Sequence, residues 1–309
     1  MNILVLNYEF PPLGGGAASV SYDLALEMAE KGHKVTVVTM GYLGLPAYEK
    51  LGETGKDERG RAGKCGYAEV YRVKCLRGKE HSCRPWEQLT YILSAEVFLN
   101  KHLKKNRYDV CHVHFIVPTG LAALWVKKNY GIPCIVTAHG SDVEGHNRKW
   151  SMRAMHWMLR PVSRRIARES VVTVPSENLL RRLKMRIPEA GYVLIPNGLR
   201  TKLFRAVRGE KRHIILLMSR LQPGKNVRTA LKAFAMIPEE IRKDWNVIIL
   251  GDGPQRENLE KYAKKLGIGE RVVFRGWIGH GSPEHRKILR TASVYISCSR
   301  FENCPMSVL

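Results

Sequence analysis

The sequence predicts an α/β protein built as two doubly wound, Rossmann-like domains. Three observations carry that expectation. Short apolar runs, of the kind that form parallel strands buried on both faces, alternate with stretches of helical length along the whole chain. Most of these runs give way to turns rich in Gly, Pro or Asn. The alternation also starts afresh after the polar, basic stretch Thr201–Lys211, which reads as a linker and divides the chain into domains over 1–205 and 206–309.

The elements follow in order. Ile3–Leu6 is an apolar strand, and Pro11-Pro12-Leu13-Gly14-Gly15-Gly16 leads into a helix with Ala17, Val20, Leu24 and Met28 on one face. A glycine-rich turn between strand and helix lets backbone N–H groups approach a phosphate, although the spacing is not G-x-G-x-x-G and a tight turn alone would explain it. Gly32–Thr39 contains the next strand, and the polar Tyr42–Gly66 reads as a surface loop. Ala68–Val73 is a strand, Trp86–Lys105 a helix, Tyr108–His114 a strand, Thr119–Asn129 a helix and Pro133–Ala138 a strand. His139-Gly140-Ser141-Asp142 stands at the end of that last strand, where a histidine can reach a ligand. His112 and His114 flank Val113 on an apolar strand and read as structural, because no third ligand at metal spacing is visible.

Arg148–Arg168 reads as a helix with an apolar stripe of Met155, Met158, Leu159, Val162 and Ile166 turned to the sheet. Trp150, Arg153, Trp157, Arg160 and Arg164 fall on the other side. Tryptophans among arginines on such a face suit an anionic membrane surface, or else the two Trp pack under the preceding loop. Pro161 threatens the regularity of that helix. Glu169–Val174 is a strand, Ser176 caps a helix to Arg186, and Tyr192–Ile195 is the last strand of the first domain.

The second domain opens on the apolar strand from His213, which runs into Ser219-Arg220-Leu221-Gln222-Pro223-Gly224-Lys225-Asn226. A helix follows over Val227–Ile237, with Asn226 placed to cap it. Arg220 and Lys225 at the mouth of a strand–turn–helix unit can take a doubly anionic ligand, the Arg by paired bonds and the Lys as a point charge. They can equally be a solvated surface pair in so basic a chain. Trp245–Leu250 is a strand entering Gly251-Asp252-Gly253-Pro254, then come a helix to Leu266 and a strand and turn over Arg271–Trp277. Pro283–Arg290 is helical, Val294–Ser297 a strand, and Ser299–Pro305 a crevice loop.

Composition narrows the function. Lys and Arg outnumber Asp and Glu by 51 to 28, a formal charge of +23, which attracts nucleic acid, anionic membranes or phosphorylated substrates. No zinc-finger spacing, RNA-recognition signature or helix-turn-helix is present, so nucleic acid is not the expected partner. The cysteines (Cys65, Cys75, Cys83, Cys111, Cys134, Cys298 and Cys304) include no Cys-x-x-Cys pair, which fits a reducing compartment and no zinc site. The N-terminus begins directly on a strand without a basic leader, and no apolar run approaches spanning length. The expected location is cytoplasmic, peripheral on the inner face of the membrane if the Trp/Arg face binds lipid.

The ordered motifs together resemble retaining glycosyltransferases of family 4, the group 1 type with the GT-B fold. They are Gly14–Gly16, His139–Asp142, Pro196-Asn197-Gly198, Ser219–Lys225, Gly251–Pro254, Val273–Gly276 and Phe301–Pro305. The resemblance implies two domains facing across a cleft. It also implies transfer of a sugar from a nucleotide diphosphate-sugar donor to a glycan or lipid-linked acceptor with retention of configuration, using no metal and no cofactor. By that similarity Arg220 and Lys225 hold the diphosphate and stabilise its growing charge. His139 lies near the donor sugar, and Glu302 with the loop Asn303, Cys304 and Pro305 holds its hydroxyls. Gly15, Gly16 and Gly251 belong to the donor site, and Gly276 with Trp277 lines the base pocket.

Two departures stand out. Arg200 follows Leu199 where the family usually has Asp, and the second Glu of the Glu-x7-Glu signature falls one residue past Leu309. The expectation is therefore an incomplete enzyme that binds donor weakly. The alternatives are a non-catalytic membrane-surface or polyanion-binding protein that keeps the fold, and a phosphorylase.

Overall fold

The computed structural model describes residues 1–52, 67–143, 156–204 and 210–309. The chain divides into two compact units, Met1–Leu199 and Arg200–Leu309.

Among the described residues, the first unit holds a single sheet of eight strands. Its strands are β1 (Asn2–Leu6), β2 (Lys34–Met40), β3 (Tyr48–Leu51), β4 (Ala68–Val73), β5 (Val110–His114), β6 (Cys134–Thr137), β7 (Val171–Val174) and β8 (Gly191–Leu194). They lie in the order β3-β4-β2-β1-β5-β6-β7-β8. All pairs are parallel except β3 with β4. Alternation along β1 shows why both faces must be covered. Ile3 and Val5 join Val35, Val37, Ala25 and Ala29 on one side, whereas Leu4 and Leu6 join Tyr91, Leu99 and Ala122 on the other. Helix α1 (Gly16–Glu30) thus covers one face, and α2 (Pro85–His102) and α3 (Gly120–Tyr130) the opposite one.

The sequence expectation fails in three places here. Within the stretch read as loop, Tyr48–Leu51 adds an antiparallel edge strand; Tyr48 stacks its ring 5.0 Å from Tyr71 and donates its hydroxyl to Glu69. Residues 53–66 of that stretch, including Cys65, lie outside the described residues. The buried residues of α1 are Ala18, Val20, Ser21, Asp23, Ala25, Leu26 and Ala29, so of the expected face Val20 is buried and Ala17, Leu24 and Met28 are only half-buried.

The third difference concerns the basic helix. A turn at Leu159 interrupts it, and α4 (Arg160–Glu169) starts anew with Pro161 in its first turn, where the missing N–H costs nothing. The wheel is reset there. Ile166 is buried and Val162 packs on the core as expected, but Met158 is 71% exposed, beside Trp157 at 66%. Trp150, Arg153 and Met155 lie outside the described residues. Farther on, α5 (Glu177–Arg186) begins as the sequence predicts, with the Ser176 hydroxyl accepting from the N–H of Leu179.

Among the described residues the second unit has four strands, β9 (Arg212–Met218), β10 (Asn246–Leu250), β11 (Val272–Gly276) and β12 (Ala292–Tyr295), all parallel in the order β11-β10-β9-β12. Helices α6 (Val227–Ala235) and α8 (Arg256–Lys265) pack on Ile215, Leu217, Val247 and Ile249; the short α7 (Glu239–Arg242) lies between them in sequence. Helix α9 (Pro283–Thr291) buries Ile288 against Leu216 and Leu250 on the other face. Asn226 does not cap α6 through its side chain: its own backbone is left-handed (φ 53°, ψ 35°), which follows from the tight 3-10 turn Pro223–Lys225 that precedes it.

Candidate active site

In open α/β sheets a crevice forms at the carboxyl ends of the strands where the order of connection reverses. In the first unit that point lies between β1 and β5, since the chain passes from β1 to β2 on one side and resumes at β5 on the other. The glycine-rich loop leaves β1 there. Gly14 has φ +98°, and a Cβ on it would stand 2.7 Å from that of Glu9, so only glycine makes this turn. Its N–H donates to the carbonyl of Glu80 at 2.9 Å. Gly15 then precedes α1 with φ −141° and ψ −136° and no side-chain cap, so among the described residues no capping side chain answers the first-turn N–H groups.

Arg77 holds this loop from beside it. Its guanidinium donates to the carbonyls of Tyr8, Lys79 and Glu80. Glu87, buried at the start of α2, accepts from the N–H groups of Gly78 and Arg84. Neither residue stands out in the sequence, because each acts through backbone that the fold brings to it.

The register of β5 and β6 gathers three histidines at the same edge. His112 lies opposite Ile135 and His114 opposite Thr137, two residues before His139. His114 Nδ1 is 2.9 Å from His139 Nε2, their rings stacked at 5.2 Å, and His112 Nε2 is 2.7 Å from the Thr137 hydroxyl. Phe115 continues the stack, its ring 4.9 Å from His139 and 4.8 Å from Tyr8; its φ of 75° is rare for a residue with a bulky side chain. Burial pushes His139 down to about 3, helped by His112, and His112 down to about 4. His114 is held well below its ordinary range by burial, then by the other two. The cluster is therefore neutral at physiological pH.

Asp142 fixes the backbone around it. Its carboxylate accepts from the N–H groups of His139, Gly140 and Ile116 at 3.1, 2.8 and 2.7 Å. Burial raises this carboxyl despite those donors, so its bonds hold a charge in an unfavourable place. The sequence reading set His112 and His114 apart from His139; their i, i+2 spacing on one strand, facing the strand that ends in His139, was the available signal.

In the second unit the reversal lies between β9 and β12. Arg220 and Lys225 follow β9, and Glu302 follows β12, so all three sit at the loops bordering that crevice. Lys225 Nζ is 2.5 Å from Glu302 Oε1, and the N–H of Arg300 donates to the carbonyl of Gly224 at 3.0 Å. Among the described residues, the Arg220 guanidinium makes no hydrogen bond or ion pair.

Gly251 shows why the next loop is glycine-rich: at φ +120°, a Cβ there would stand 2.0 Å from the carbonyl oxygen of Ser219. Arg256 staples the same loop, donating to Asp252, Glu260 and the carbonyl of Phe274. Gly276 ends β11 with φ +75°, and Trp277 after it is 39% exposed. Asn303, Cys304 and Pro305 are half-buried in the loop that carries Glu302. Among the described residues no group of three His, Cys, Asp or Glu could hold a metal ion.

Two doubly wound, largely parallel α/β sheets in one chain are the fold of the GT-B class. The match to known structures agrees: sucrose-phosphate synthase from Thermosynechococcus elongatus superposes with a TM-score of 0.73 at 19% identity, covering 99% of this chain and 77% of the other. The chain belongs to Glycosyltransferase Family 4, whose model matches residues 14–203, and residues 200–309 match the glycosyl transferases group 1 model. It is 24% identical over 280 residues to N-acetyl-alpha-D-glucosaminyl L-malate synthase of Bacillus anthracis, covering 86% of this chain and 66% of the relative. It is 25% identical over 232 residues to the UDP-Gal:alpha-D-GlcNAc-diphosphoundecaprenol alpha-1,3-galactosyltransferase of Escherichia coli, covering 70% and 58%. The chain thus spans about two thirds or less of the length of these two relatives.

Proposed function

We propose that the protein transfers a sugar from a nucleotide diphosphate-sugar donor to an acceptor hydroxyl, with retention of configuration. The observation that carries this reading is the setting of Arg220, Lys225 and Glu302 around the β9/β12 crevice. A guanidinium with no partner among the described residues and an ammonium five residues on in the same strand–turn–helix unit suit a diphosphate. As the glycosidic bond breaks, negative charge grows on that leaving group, and pre-placed cations stabilise it without a metal. Glu302, with the loop Asn303–Pro305, takes the sugar hydroxyls in this reading, and Gly276 with Trp277 takes the base. In the first unit, His139 serves the donor sugar as a neutral donor or acceptor, and the Gly15 and Gly16 amides serve phosphate oxygens.

The acceptor in this reading is a lipid-linked or cell-surface glycan on the cytoplasmic face of a membrane. The Escherichia coli relative's diphosphoundecaprenol substrate supports that class. So does a shallow concavity of about 380 Å³ lined by Trp157, Met158, Arg160, Pro161 and Arg164, which sets exposed apolar side chains beside arginines. No helix among the described residues is long and apolar enough to cross a membrane.

Calorimetric titration with UDP and with GDP tests the donor assignment. Binding of either that is weakened by Arg220→Ala supports it, whereas unchanged affinity in that variant refutes it. Sedimentation with phosphatidylglycerol vesicles but no nucleotide affinity would favour a non-catalytic surface-binding protein instead.

A further inference from the structure

The His114–His139 pair has a hydrogen-bonding asymmetry that fixes which nitrogen of His139 carries the proton. One hydrogen bond joins His114 Nδ1 and His139 Nε2 at 2.9 Å, so one of these nitrogens donates and the other accepts. The other nitrogen of His114, Nε2, is buried and has no hydrogen-bond partner among the described residues. Two arrangements are open to the neutral pair. If His139 donated, neutral His114 would carry its own proton on Nε2, leaving a buried N–H without an acceptor. If His114 donates, its Nε2 holds only a lone pair. Buried orphan N–H groups are rarer in folded proteins than under-used acceptors, and an unmade bond from a donor forfeits the whole of its hydration.

We propose that His114 is a positioning residue that donates from Nδ1 to His139 Nε2 and so holds His139 as the Nδ1–H tautomer. The state of one imidazole nitrogen is set by the bond the other makes. In this tautomer the donor of the His139 ring is Nδ1, the form that suits an oxygen acceptor such as that of a sugar or phosphate. The supporting frame leaves little room for exchange. Asp142 clamps the backbone N–H groups of His139 and Gly140, and Phe115 and His114 pack against the ring. His112 does not compete for the shared proton, being 2.7 Å from the Thr137 hydroxyl, which in turn lies 2.6 Å from that of Thr173. All three rings stay neutral at physiological pH, so a tautomer, rather than a charge, is what the cluster sets. The consequence for donor recognition rests on the proposed glycosyl transfer; the tautomer itself does not.

The test is long-range proton–nitrogen NMR of the imidazoles in the ligand-free chain labelled with nitrogen-15, with His139 assigned by its loss in His139→Gln. The wild type is expected to show His139 protonated at Nδ1 and bare at Nε2. His114→Leu removes the donor, and the Nε2–H form of His139, below about a tenth in the wild type, should rise to about half or more. His114→Asn, whose amide can donate from nearly the same place, should keep the wild-type pattern. A wild-type His139 protonated at Nε2 overturns the proposal, as does a His114→Leu spectrum unchanged from wild type. If His114→Leu fails to fold, the wild-type spectrum decides alone. Absent nucleotide binding with His139 protonated at Nδ1 would sink the transferase reading and leave this assignment standing.

Discussion

The carboxyl edges of the two sheets are built on opposite electrical principles. At the β1/β5 edge of the first unit, the histidines are neutral and held in place: His114 shares a hydrogen bond with His139, His112 bonds the Thr137 hydroxyl, and Asp142 holds the backbone of His139, Gly140 and Ile116. At the β9/β12 edge of the second, the groups are charged and partly open to water, with Lys225 and Glu302 retaining 25% and 28% of their side-chain exposure. The first arrangement gives directional recognition at nearly constant charge; the second gives strong, weakly directional attraction that a bound anion can redirect.

The comparison is most severely strained by removing the charge from the second edge. Arg220→Ala together with Lys225→Ala should weaken nucleoside diphosphate binding by about a hundredfold or more, since bonds to charged groups contribute about 1.5–3 kcal/mol each. Calorimetry reads this directly, and the first unit's folding should not change.

Next in size is the backbone of that edge. Gly251→Ala forces a Cβ to within 2.0 Å of the Ser219 carbonyl at positive φ, and should cost about 2–4 kcal/mol of stability in denaturant melts. Gly267→Ala, with positive φ but nothing within 4 Å, should cost about 1 kcal/mol.

The first edge is sharpened by pH rather than by charge removal. The folded pKa values of His139 (about 3), His112 (about 4) and His114 lie below the ordinary 6.5. Between those values and 6.5 the unfolded chain binds more protons than the folded one. Stability from this cluster is therefore complete above 6.5 and is lost as pH falls below it, by about 1.4 kcal/mol per pH unit for each proton taken up. Raised Asp142 works the other way, but nearer its ordinary 3.8. His112→Leu should flatten the stability slope between pH 6 and 5 by about one proton; an unaltered slope would mean that the ring titrates freely when folded.

The smallest effect belongs to the basic concavity. Trp157→Ala with Arg164→Ala should weaken sedimentation with phosphatidylglycerol vesicles by about tenfold, and should leave phosphatidylcholine binding unchanged.

These two edges were unequally legible in the sequence. The second was easy to find because its chemistry is local: Arg220 and Lys225 sit five residues apart on one strand–turn–helix unit, and β9 is a plain apolar run. The first was half-read. His139 could be picked out by its place after a strand, but its meeting with His114 depends on the β5/β6 register, which no local pattern states. The same is true of Arg77, whose acceptors are the Met40 sulfur and three backbone carbonyls drawn from two segments. Strands buried on both faces were legible throughout, because their apolar runs have no other use. The edge strand Tyr48–Leu51, with half its residues exposed, lacked that signature. The wheel over Arg148–Arg168 failed at Met158 because periodicity counts residues without knowing that Pro161 restarts the count.

The most direct measurement is a crystal structure of the chain with a bound nucleoside diphosphate, UDP or GDP. The predicted result is phosphate oxygens within hydrogen-bonding distance of the Arg220 guanidinium and Lys225 Nζ at the β9/β12 crevice, with the bond to Glu302 loosened. Phosphates bound instead along the basic face of α9, with Arg220 and the Lys225–Glu302 pair untouched, would contradict it.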